Sequence, residues 1–264
     1  MIKQLLFWIA KLKRPKRREV TEDGQFSGLR KDWKDARDFK YLGIAYPTTL
    51  PKQVSLRKYV LEVKNQGAIG SCAPHAFASC YEILRNIKNG TQVQTSERFL
   101  YYNVREYEGN LPKNAGTQMR TNAKLLQKQG ISFEIFCPYS ESLYNEEPSW
   151  KAQFAAGYQK ISNYYFLDNI ENIKKALAAK HPVAMSVQIF KNFYDCKGQV
   201  EEPNGTLQGG HAMAIIGYDE FTQRFEVLNS WGRNWADKGI CWMPYTYLQK
   251  YGLDRGYANV VIEI

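Results

Sequence analysis

Residues 63–85 read VKNQGAIGSCAPHAFASCYEILR, which places a cysteine where a helix is expected to begin. Gly67 and Gly70 permit backbone turns that other residues resist, and Ser71 belongs to the residue types that cap a helix N-terminus. Apolar residues then recur at helical spacing up to a stop signal at Gly90: Ala76, Phe77, Cys80, Ile83, Leu84 and Ile87. The pattern predicts a helix whose first turn holds Cys72.

Cys72 is a candidate nucleophile because of that position. A thiol at a helix N-terminus meets unpaired amide donors and the positive end of the helix dipole, and both favour the thiolate. The alternative is that Cys72 is one more small core residue, since free cysteines are among the most buried residue types. Taken alone, the stretch leaves both interpretations open.

The composition describes a folded chain with an uneven charge distribution. The 264 residues are 44% hydrophobic and 14% aromatic, enough for the core of one large or two smaller domains. Seven lysines and arginines and no acidic residue lie in residues 1–18, which leaves only +3 of the net charge of +10 for the rest. The basic field therefore belongs to one end of the chain, and we expect no nucleic-acid partner.

The five cysteines form no CxxC pair, and no histidine stands at zinc-ligand spacing from them. The sequence therefore predicts no metal site, and no cofactor is expected. Disulfide pairing of Cys80, Cys137, Cys196 and Cys241 cannot be read from spacing, and reduced thiols are the default interpretation.

The N-terminal residues 1–49 are predicted to be separate from the folded part, with a boundary near Leu50. Residues 1–18 carry an apolar helical face and then a basic run, too short for a membrane span and unlike a secretory signal. Three interpretations stay open: contact with an anionic membrane surface, a flap docked on the protein's own surface, or a disordered tail. A helix is predicted over residues 31–41, and a cytoplasmic location is favoured.

The remaining chain predicts an α+β fold in two parts. Helices are predicted over residues 96–107, 117–129 and 169–180, and strands over residues 183–189, 212–218, 225–228, 240–243 and 260–264. Helices therefore dominate residues 50–165 and strands dominate residues 166–264. No internal repeat of solenoid or propeller length is present.

A cysteine nucleophile needs a base, and the chain has three histidines. His75 lies three residues after Cys72 on the same helix, where it is poorly aimed to serve both thiol and substrate. His181 precedes Pro182 and is predicted to be a solvated surface residue. His211 heads the apolar strand of residues 209–218, GGHAMAIIGY, and is the favoured base.

Asn229 follows His211 by 18 residues at the end of the next predicted strand. Its amide oxygen could accept the proton of one imidazole nitrogen and leave the other for the thiol. Trp231 could shield that bond from water. The alternatives are a strand-end histidine bonded to a carbonyl, and a turn asparagine followed by a core tryptophan.

These segments resemble the papain-like cysteine peptidases. The resemblance rests on QGAIGSC at residues 66–72, GGHAM at residues 209–213 and NSWGRNW at residues 229–235. Cys72 precedes His211 by 139 residues and Asn229 by 157, against roughly 130–150 in such enzymes. Residues 50–54, LPKQV, also resemble the start of the mature family domain.

The resemblance implies a two-lobed α+β fold, with a helical lobe, an antiparallel β-barrel-like lobe and the active-site cleft between them. It implies peptide-bond hydrolysis through a thioester, with Cys72 as nucleophile, His211 as base and later acid, Asn229 as orienting residue and Gln66 as oxyanion-hole donor. The expected partner is a peptide or protein substrate. Residues 1–49 become a pro-like segment that could occlude the cleft.

The sequence also departs from the family pattern. Ala73 and Ile69 stand where an aromatic residue and a cysteine are usual, which removes a common disulfide and is more typical of a bacterial-type member. By position, Gly116 and Thr117 are expected to hold the substrate backbone, and Ser186 and Ala212 to line a side-chain pocket. Gly210 and Trp231 complete the predicted substrate-binding set.

Two other functions compete with proteolysis. A catalytically silent papain-like binding module would normally have lost one of the four motif residues, and all four are present. Another acyl-transfer enzyme with Cys-His-Asn chemistry, such as a transglutaminase or amidase, would use the same side chains on a different acceptor.

Overall fold

The computed structural model describes residues 29–32 and 49–264. The predictions for residues 1–18 and for the helix over residues 33–41 lie outside the described residues. Lys31 and Asp32, the first two positions of that predicted helix, are not helical. The predicted domain boundaries at 49/50 and 165/166 stay predictions.

Four helices make up most of the chain between residues 72 and 156. They are α1 Cys72–Asn89, α2 Glu97–Glu108, α3 Met119–Lys128 and α4 Trp150–Ala156. Helix α1 ends as the sequence predicts, because Gly90 takes a left-handed φ of 62° and its N–H bonds to the carbonyl of Asn86. Almost all of the first three turns of α1 is buried.

Two details at the helix starts differ from the prediction. Ser71 occupies the N-cap position of α1, but its hydroxyl pairs with the Tyr139 hydroxyl at 2.9 Å and caps nothing. Helix α3 begins at Met119, two residues later than predicted, because Thr117 pairs in a parallel bridge with Leu29. Both differences come from partners that are distant in the sequence.

The strands form one antiparallel sheet. They are β1 Gln53–Ser55, β2 Asn163–Leu167, β3 Val183–Phe190, β4 Leu207–Asp219, β5 Arg224–Leu228, β6 Ile240–Pro244 and β7 Asn259–Glu263. The order β2-β7-β3-β4-β5-β6 is an open path, with β1 added alongside β4, so the sheet of the described residues does not close into a barrel. Helices α5 Ile170–Ala178 and α6 Tyr245–Tyr251 lie between strands in the chain.

Strand β4 is the centre of the molecule. Residues 209–218 within it are all buried, and β3, β5 and β1 all pair with it. Gly217 makes the crowding possible, because a Cβ there would lie 2.3 Å from the carbonyl oxygen of Val54 in β1. Helix α1 packs against β3 and β4, and Phe77 and Ile215 share one core cluster. This packing brings the start of α1 to the strand that carries His211.

No helix in the part of the chain that the structure describes is both long and apolar enough to cross a membrane.

Candidate active site

Cys72 is the first residue of α1 and is fully buried. It belongs to the same core cluster as Ala212, the residue after His211 in β4. None of the five cysteines forms a disulfide, so the thiol of Cys72 is in the reduced form that a nucleophile requires.

His211 is joined to Asn229 by a buried side-chain hydrogen bond of 2.8 Å. Nε2 of His211 donates and Oδ1 of Asn229 accepts. The Ser230 backbone N–H donates to the same oxygen at 2.8 Å, which fixes the orientation of the amide. Since Nε2 carries the proton, Nδ1 of the neutral ring is left as the acceptor. Nδ2 of Asn229 is buried and finds no hydrogen-bond partner among the described residues, so the oxygen alone positions this side chain.

Aromatic rings cover the His211–Asn229 bond. Trp231 stacks on the imidazole with ring centroids 4.8 Å apart and an interplanar angle of 28°. Tyr194 stacks on Trp231 with ring centroids 5.0 Å apart and an interplanar angle of 12°. Phe193 contacts the rings of both Trp231 and His211 edge-on. The predicted shielding role of Trp231 agrees with this arrangement.

Burial lowers the pKa of His211 to about 4, and a nearby second histidine, His75, acts in the same direction. The hydrogen bond to Asn229 opposes this shift, because it stabilises the charged ring. The imidazole is therefore neutral near pH 7 and able to accept a proton.

Gln66 lies between the two lobes. Its backbone N–H donates to the Ser230 carbonyl at 2.8 Å, and its Oε1 accepts from the Ser230 hydroxyl at 2.7 Å. Its Nε2 donates to the Ile69 carbonyl at 2.9 Å, which uses one of the two amide hydrogens. Ser230, which sequence reasoning did not single out, therefore holds the side chain of Gln66 beside Asn229.

The glycine-rich turn after Gln66 is held from the helical lobe. Tyr139 donates its hydroxyl hydrogen to the Gln66 carbonyl at 2.8 Å, and Asn114 accepts from the Gly70 N–H at 2.9 Å and donates to the Ala68 carbonyl at 3.1 Å. Gly67 takes a φ of +57°, which other residues adopt only with strain. These side chains of the helical lobe therefore fix the conformation of the turn just before α1 begins.

A buried ion cluster anchors the chain just before this turn. Lys64 lies 3.0 Å from Glu82 of α1 and 2.5 Å from Glu97 of α2. The two carboxylates hold the pKa of Lys64 above its ordinary value although burial opposes the charge. Burial raises the pKa of Glu82 to about 7. Such a cluster is costly to break, because removing one member leaves a buried charge unpaired.

Comparison with known proteins agrees with the geometry. The family model described as "Papain family cysteine protease" matches residues 50–259. The chain belongs to the papain family of cysteine proteases. It is a hydrolase that cleaves peptide bonds through its active-site thiol, and its two-part α+β architecture is that of the family.

Individual relatives support this assignment. The protease is 31% identical over 240 residues to an uncharacterized peptidase C1-like protein of Acanthamoeba polyphaga mimivirus, covering 82% of this chain and 76% of the relative. Xylellain, a cysteine protease from Xylella fastidiosa, has a similar structure with a TM-score of 0.81 at 28% identity, covering 93% and 99% of the two chains. The Amb a 11 cysteine protease of ragweed pollen, solved in its proform, matches with a TM-score of 0.70 at 25% identity, covering 86% and 69%.

The other two histidines of the protease lie in different surroundings. His75 is buried, its Nδ1 donates to the Ser71 carbonyl of its own helix at 2.8 Å, and Tyr139 meets it edge-on. His181 is half-buried, not solvated as predicted, because the backbone turns back and its N–H bonds to the carbonyl of Ala176 in α5. Its Nδ1 is buried without a hydrogen-bond partner among the described residues.

The predicted substrate-binding residues fall into two groups. Gly116 and Thr117 lie just before α3, with Gly116 half-buried and Thr117 buried. Ser186 and Ala212 are paired across β3 and β4 and are both buried, and the Ser186 hydroxyl donates to the Ala258 carbonyl at 2.5 Å. A substrate-binding role for these residues stays a prediction.

Residues 29–32 of the protease lie beside Thr117 and beside Gly210, two residues before Ala212 in β4. The Arg30 N–H donates to the Thr117 carbonyl at 3.0 Å, and Leu29 forms the bridge with Thr117. Leu29 is buried, and a Cβ on Gly210 would lie 3.1 Å from its Cδ2. We call residues 29–32 the strap, because it contacts the helical lobe at Thr117 and the residue next to His211 in β4.

Two charged side chains fasten the strap. Arg30 forms an ion pair with Glu108 of α2 at 2.8 Å. Both carboxylate oxygens of Asp32 accept backbone N–H groups at the start of α3, from Met119 at 3.1 Å and from Arg120 at 2.9 Å. A carboxylate at this position also interacts favourably with the positive end of the helix dipole.

Proposed function

We propose that Cys72 is the nucleophile of this cysteine protease, that His211 is its general base and later its general acid, and that Asn229 orients His211. The observation that carries the proposal is the 2.8 Å bond from His211 Nε2 to Asn229 Oδ1, which leaves Nδ1 for the thiol. A helix N-terminus under Cys72 adds stabilisation of the thiolate.

In the proposed reaction, Nδ1 of His211 takes the thiol proton of Cys72 and the sulfur attacks the carbonyl carbon of the scissile bond. His211 then gives the proton to the departing amine, and a thioester joins Cys72 to the acyl part of the substrate. A water molecule, deprotonated by the same imidazole, attacks the thioester. The acid product leaves and the thiol is restored.

Gln66 is proposed as one donor to the oxyanion that forms during both attacks, with the Cys72 backbone N–H as the other. The support is positional: Ser230 and Ile69 hold the Gln66 amide, and one Nε2 hydrogen remains after the bond to Ile69. Donors that are fixed before reaction stabilise developing charge without reorganisation.

We further propose that residues 1–49 inhibit the protease by laying the strap across the cleft. Supporting this, the strap uses the Thr117 carbonyl and the space beside Gly210, where Gly116, Thr117, Gly210, Ser186 and Ala212 are predicted to bind substrate. Leu29 there favours substrates with an apolar side chain at the same position. Trp231 lies on the imidazole of His211 and would border the leaving-group part of the substrate.

The strap should hold more tightly in acid. Burial raises the pKa of Asp32 to about 6 and that of Glu108 to about 7, against the effects of Arg30 on both and of Arg120 on Asp32. Asp32, which lies on the strap, therefore binds a proton more readily when the strap is docked than when it is free, so docking takes up a proton at Asp32 and strengthens as the pH falls from 7 to 5. A cytoplasmic location and contact of residues 1–18 with a membrane surface stay predictions.

The experiment compares four full-length proteins: wild type, Asp32→Ala, Arg30→Ala and the control Lys31→Ala, whose side chain only approaches the ring of Tyr257 at 5.9 Å. Initial rates of reporter-amine release from short peptides are measured at pH 7 and pH 5, together with labelling of Cys72 by an epoxysuccinyl thiol inhibitor. We expect Asp32→Ala and Arg30→Ala to be about tenfold faster than Lys31→Ala, since each lost contact is worth roughly 1.4 kcal/mol.

The outcomes distinguish the catalytic assignment of Cys72 from inhibition by the strap. If folded Asp32→Ala neither releases the amine nor is labelled at Cys72, the catalytic assignment is wrong. If all four proteins react at equal rates, the catalytic assignment holds and inhibition by the strap is wrong. A Cys72→Ser protein provides the background rate.

A further inference from the structure

Two cysteines outside the active site lie side by side. Cys196 follows the short turn Lys191–Asp195, and Cys241 lies in β6. The chain after Cys196 runs along β6, because the Trp242 N–H donates to the Gly198 carbonyl at 2.8 Å and the Val200 N–H donates to the Trp242 carbonyl at 2.9 Å. These bonds hold Cys196 beside the strand that carries Cys241.

The two side chains interact directly and unequally. The Cys241 side chain and the Gly198 N–H both lie against the sulfur of Cys196, whose thiol donates to the Gln199 carbonyl at 3.4 Å. The contacts with Cys241 and Gly198 lower the pKa of Cys196 to about 7, while burial keeps the pKa of Cys241 well above its ordinary value. At neutral pH a large fraction of Cys196 is therefore thiolate, and Cys241 is a thiol pointed at it.

Access is also unequal. Cys196 lines a cavity of about 240 Å³ together with Phe193, Asp195 and Tyr247, whereas Cys241 is fully buried. A small oxidant entering this cavity meets Cys196 first. The arrangement has the features of an attacking thiolate beside a resolving thiol.

We propose that Cys196 and Cys241 are a redox-sensitive pair that closes to a disulfide when a hydroperoxide oxidises Cys196. The Cys196 thiolate attacks one peroxide oxygen, so the O–O bond breaks, the sulfur becomes a sulfenic acid and the other oxygen leaves as an alcohol or water after protonation. Cys241 then attacks the sulfenic sulfur and loses its proton. The S–S bond forms and the sulfenic hydroxyl leaves as water, so two thiols are oxidised and one peroxide is reduced.

The site affects the active centre through the turn before Cys196. Phe193 and Tyr194 in that turn contact Trp231, and the Tyr194 carbonyl accepts from Nε1 of Trp235 at 3.1 Å. A Cys196–Cys241 bond would fasten the end of this turn to β6. It would therefore hold in place the aromatic cover of the His211–Asn229 bond.

The test uses the full chain with Cys72→Ser, which removes the active-site thiol, and hydrogen peroxide as the probe. Non-reducing peptide mapping after treatment at pH 7 should give one linked peptide pair, Cys196 with Cys241, that dithiothreitol separates. Adding Cys241→Ser should leave a sulfenic acid at Cys196 that dimedone labels, while adding Cys80→Ser should leave the linked pair unchanged.

The melting temperature gives a second measurement. Closing the loop between residues 196 and 241 should raise it by roughly 5 °C, reversibly, in the Cys72→Ser protein and not after Cys196→Ser. A folded Cys72→Ser protein in which peroxide links neither cysteine, or links Cys196 to a different one, would overturn the proposal. The mapping does not depend on proteolytic activity, so it stands apart from the proposed function.

Discussion

The first turn of α1 around His75 and the part of β4 around His211 are alike in most respects. Each holds a buried histidine with one ring nitrogen at 2.8 Å from an oxygen and an aromatic ring 4.8 Å away. Burial lowers the pKa of His75 to about 3 and that of His211 to about 4. Neither burial nor pKa therefore distinguishes His211, the proposed catalytic base, from His75.

The difference lies in the partner. His75 bonds to the backbone carbonyl of Ser71, one turn earlier in its own helix. Because both partners lie in one helical turn, this bond does not depend on the rest of the fold. His211 bonds to the side-chain amide of Asn229, the residue after β5, and the oxygen of that amide is itself fixed by the Ser230 N–H. A partner that comes from a distant residue sets the direction of the imidazole relative to the cleft.

The prediction with the largest expected effect makes the same substitution at both histidines and compares their activities. His211→Gln should reduce kcat/KM by about 10²- to 10⁴-fold, because it removes the proton acceptor. His75→Gln should change kcat/KM by less than about tenfold and lower the melting temperature, because it removes one buried hydrogen bond. Both are measured on one reporter peptide; equal losses of activity at equal stability would contradict the distinction.

The next test removes the partner and keeps the histidine. Asn229→Ala should lower kcat by about 10²-fold with little change in KM, since the imidazole loses its orientation. Asn103→Ala is the matched control, because Asn103 is also a buried amide, but it donates to the Phe99 carbonyl of its own helix at 2.7 Å. If Asn103→Ala reduces kcat as strongly as Asn229→Ala, orientation of His211 is not the cause.

The smallest expected effect concerns the ring that covers His211. Trp231→Ala should raise the pKa of His211 from about 4 toward 6.5, because burial is the main cause of its lowering. The pKa of His75 should stay at about 3 in the same protein. Histidine NMR titration of the Cys72→Ser chain, with and without Trp231→Ala, measures both at once, and equal shifts at the two rings would remove the assigned role of Trp231.

The lowered pKa values of His75 and His211 also predict how these residues make stability depend on pH. Both histidines bind protons more weakly when folded than when unfolded, so the unfolded chain takes up more protons between about pH 6.5 and 4. The histidine contribution to the free energy of unfolding should therefore fall as the pH decreases through that range, while the raised pKa of Glu82, about 7, contributes in the opposite direction. The stability difference between wild type and His75→Gln, from denaturant titrations at pH 7 and pH 5, gives the sign of the histidine contribution.

Sequence patterns predicted the regular elements well where they were long. The apolar spacing after Cys72 predicted α1, and the apolar runs predicted β3, β4, β5, β6 and β7 within a few residues. They missed β1 and β2, and the short helices α4 and α6, because three to seven residues carry too little periodicity. Strand β1 exists because its backbone pairs with β4 across the chain.

By itself the sequence determined the chemistry that this protein holds: a thiol at a helix start, a histidine next to an apolar run and an amide at the end of the next strand. The prediction that His211 heads its strand was wrong, because pairing with β3 extends β4 back to Leu207. Local propensity and residue type carry that information. Only the tertiary structure decided which oxygen each histidine meets, that Ser230 holds Gln66, that the strap lies beside Thr117 and that Cys196 lies beside Cys241. Those contacts join residues far apart in the chain, and the packing of α1 and β4 sets their distances.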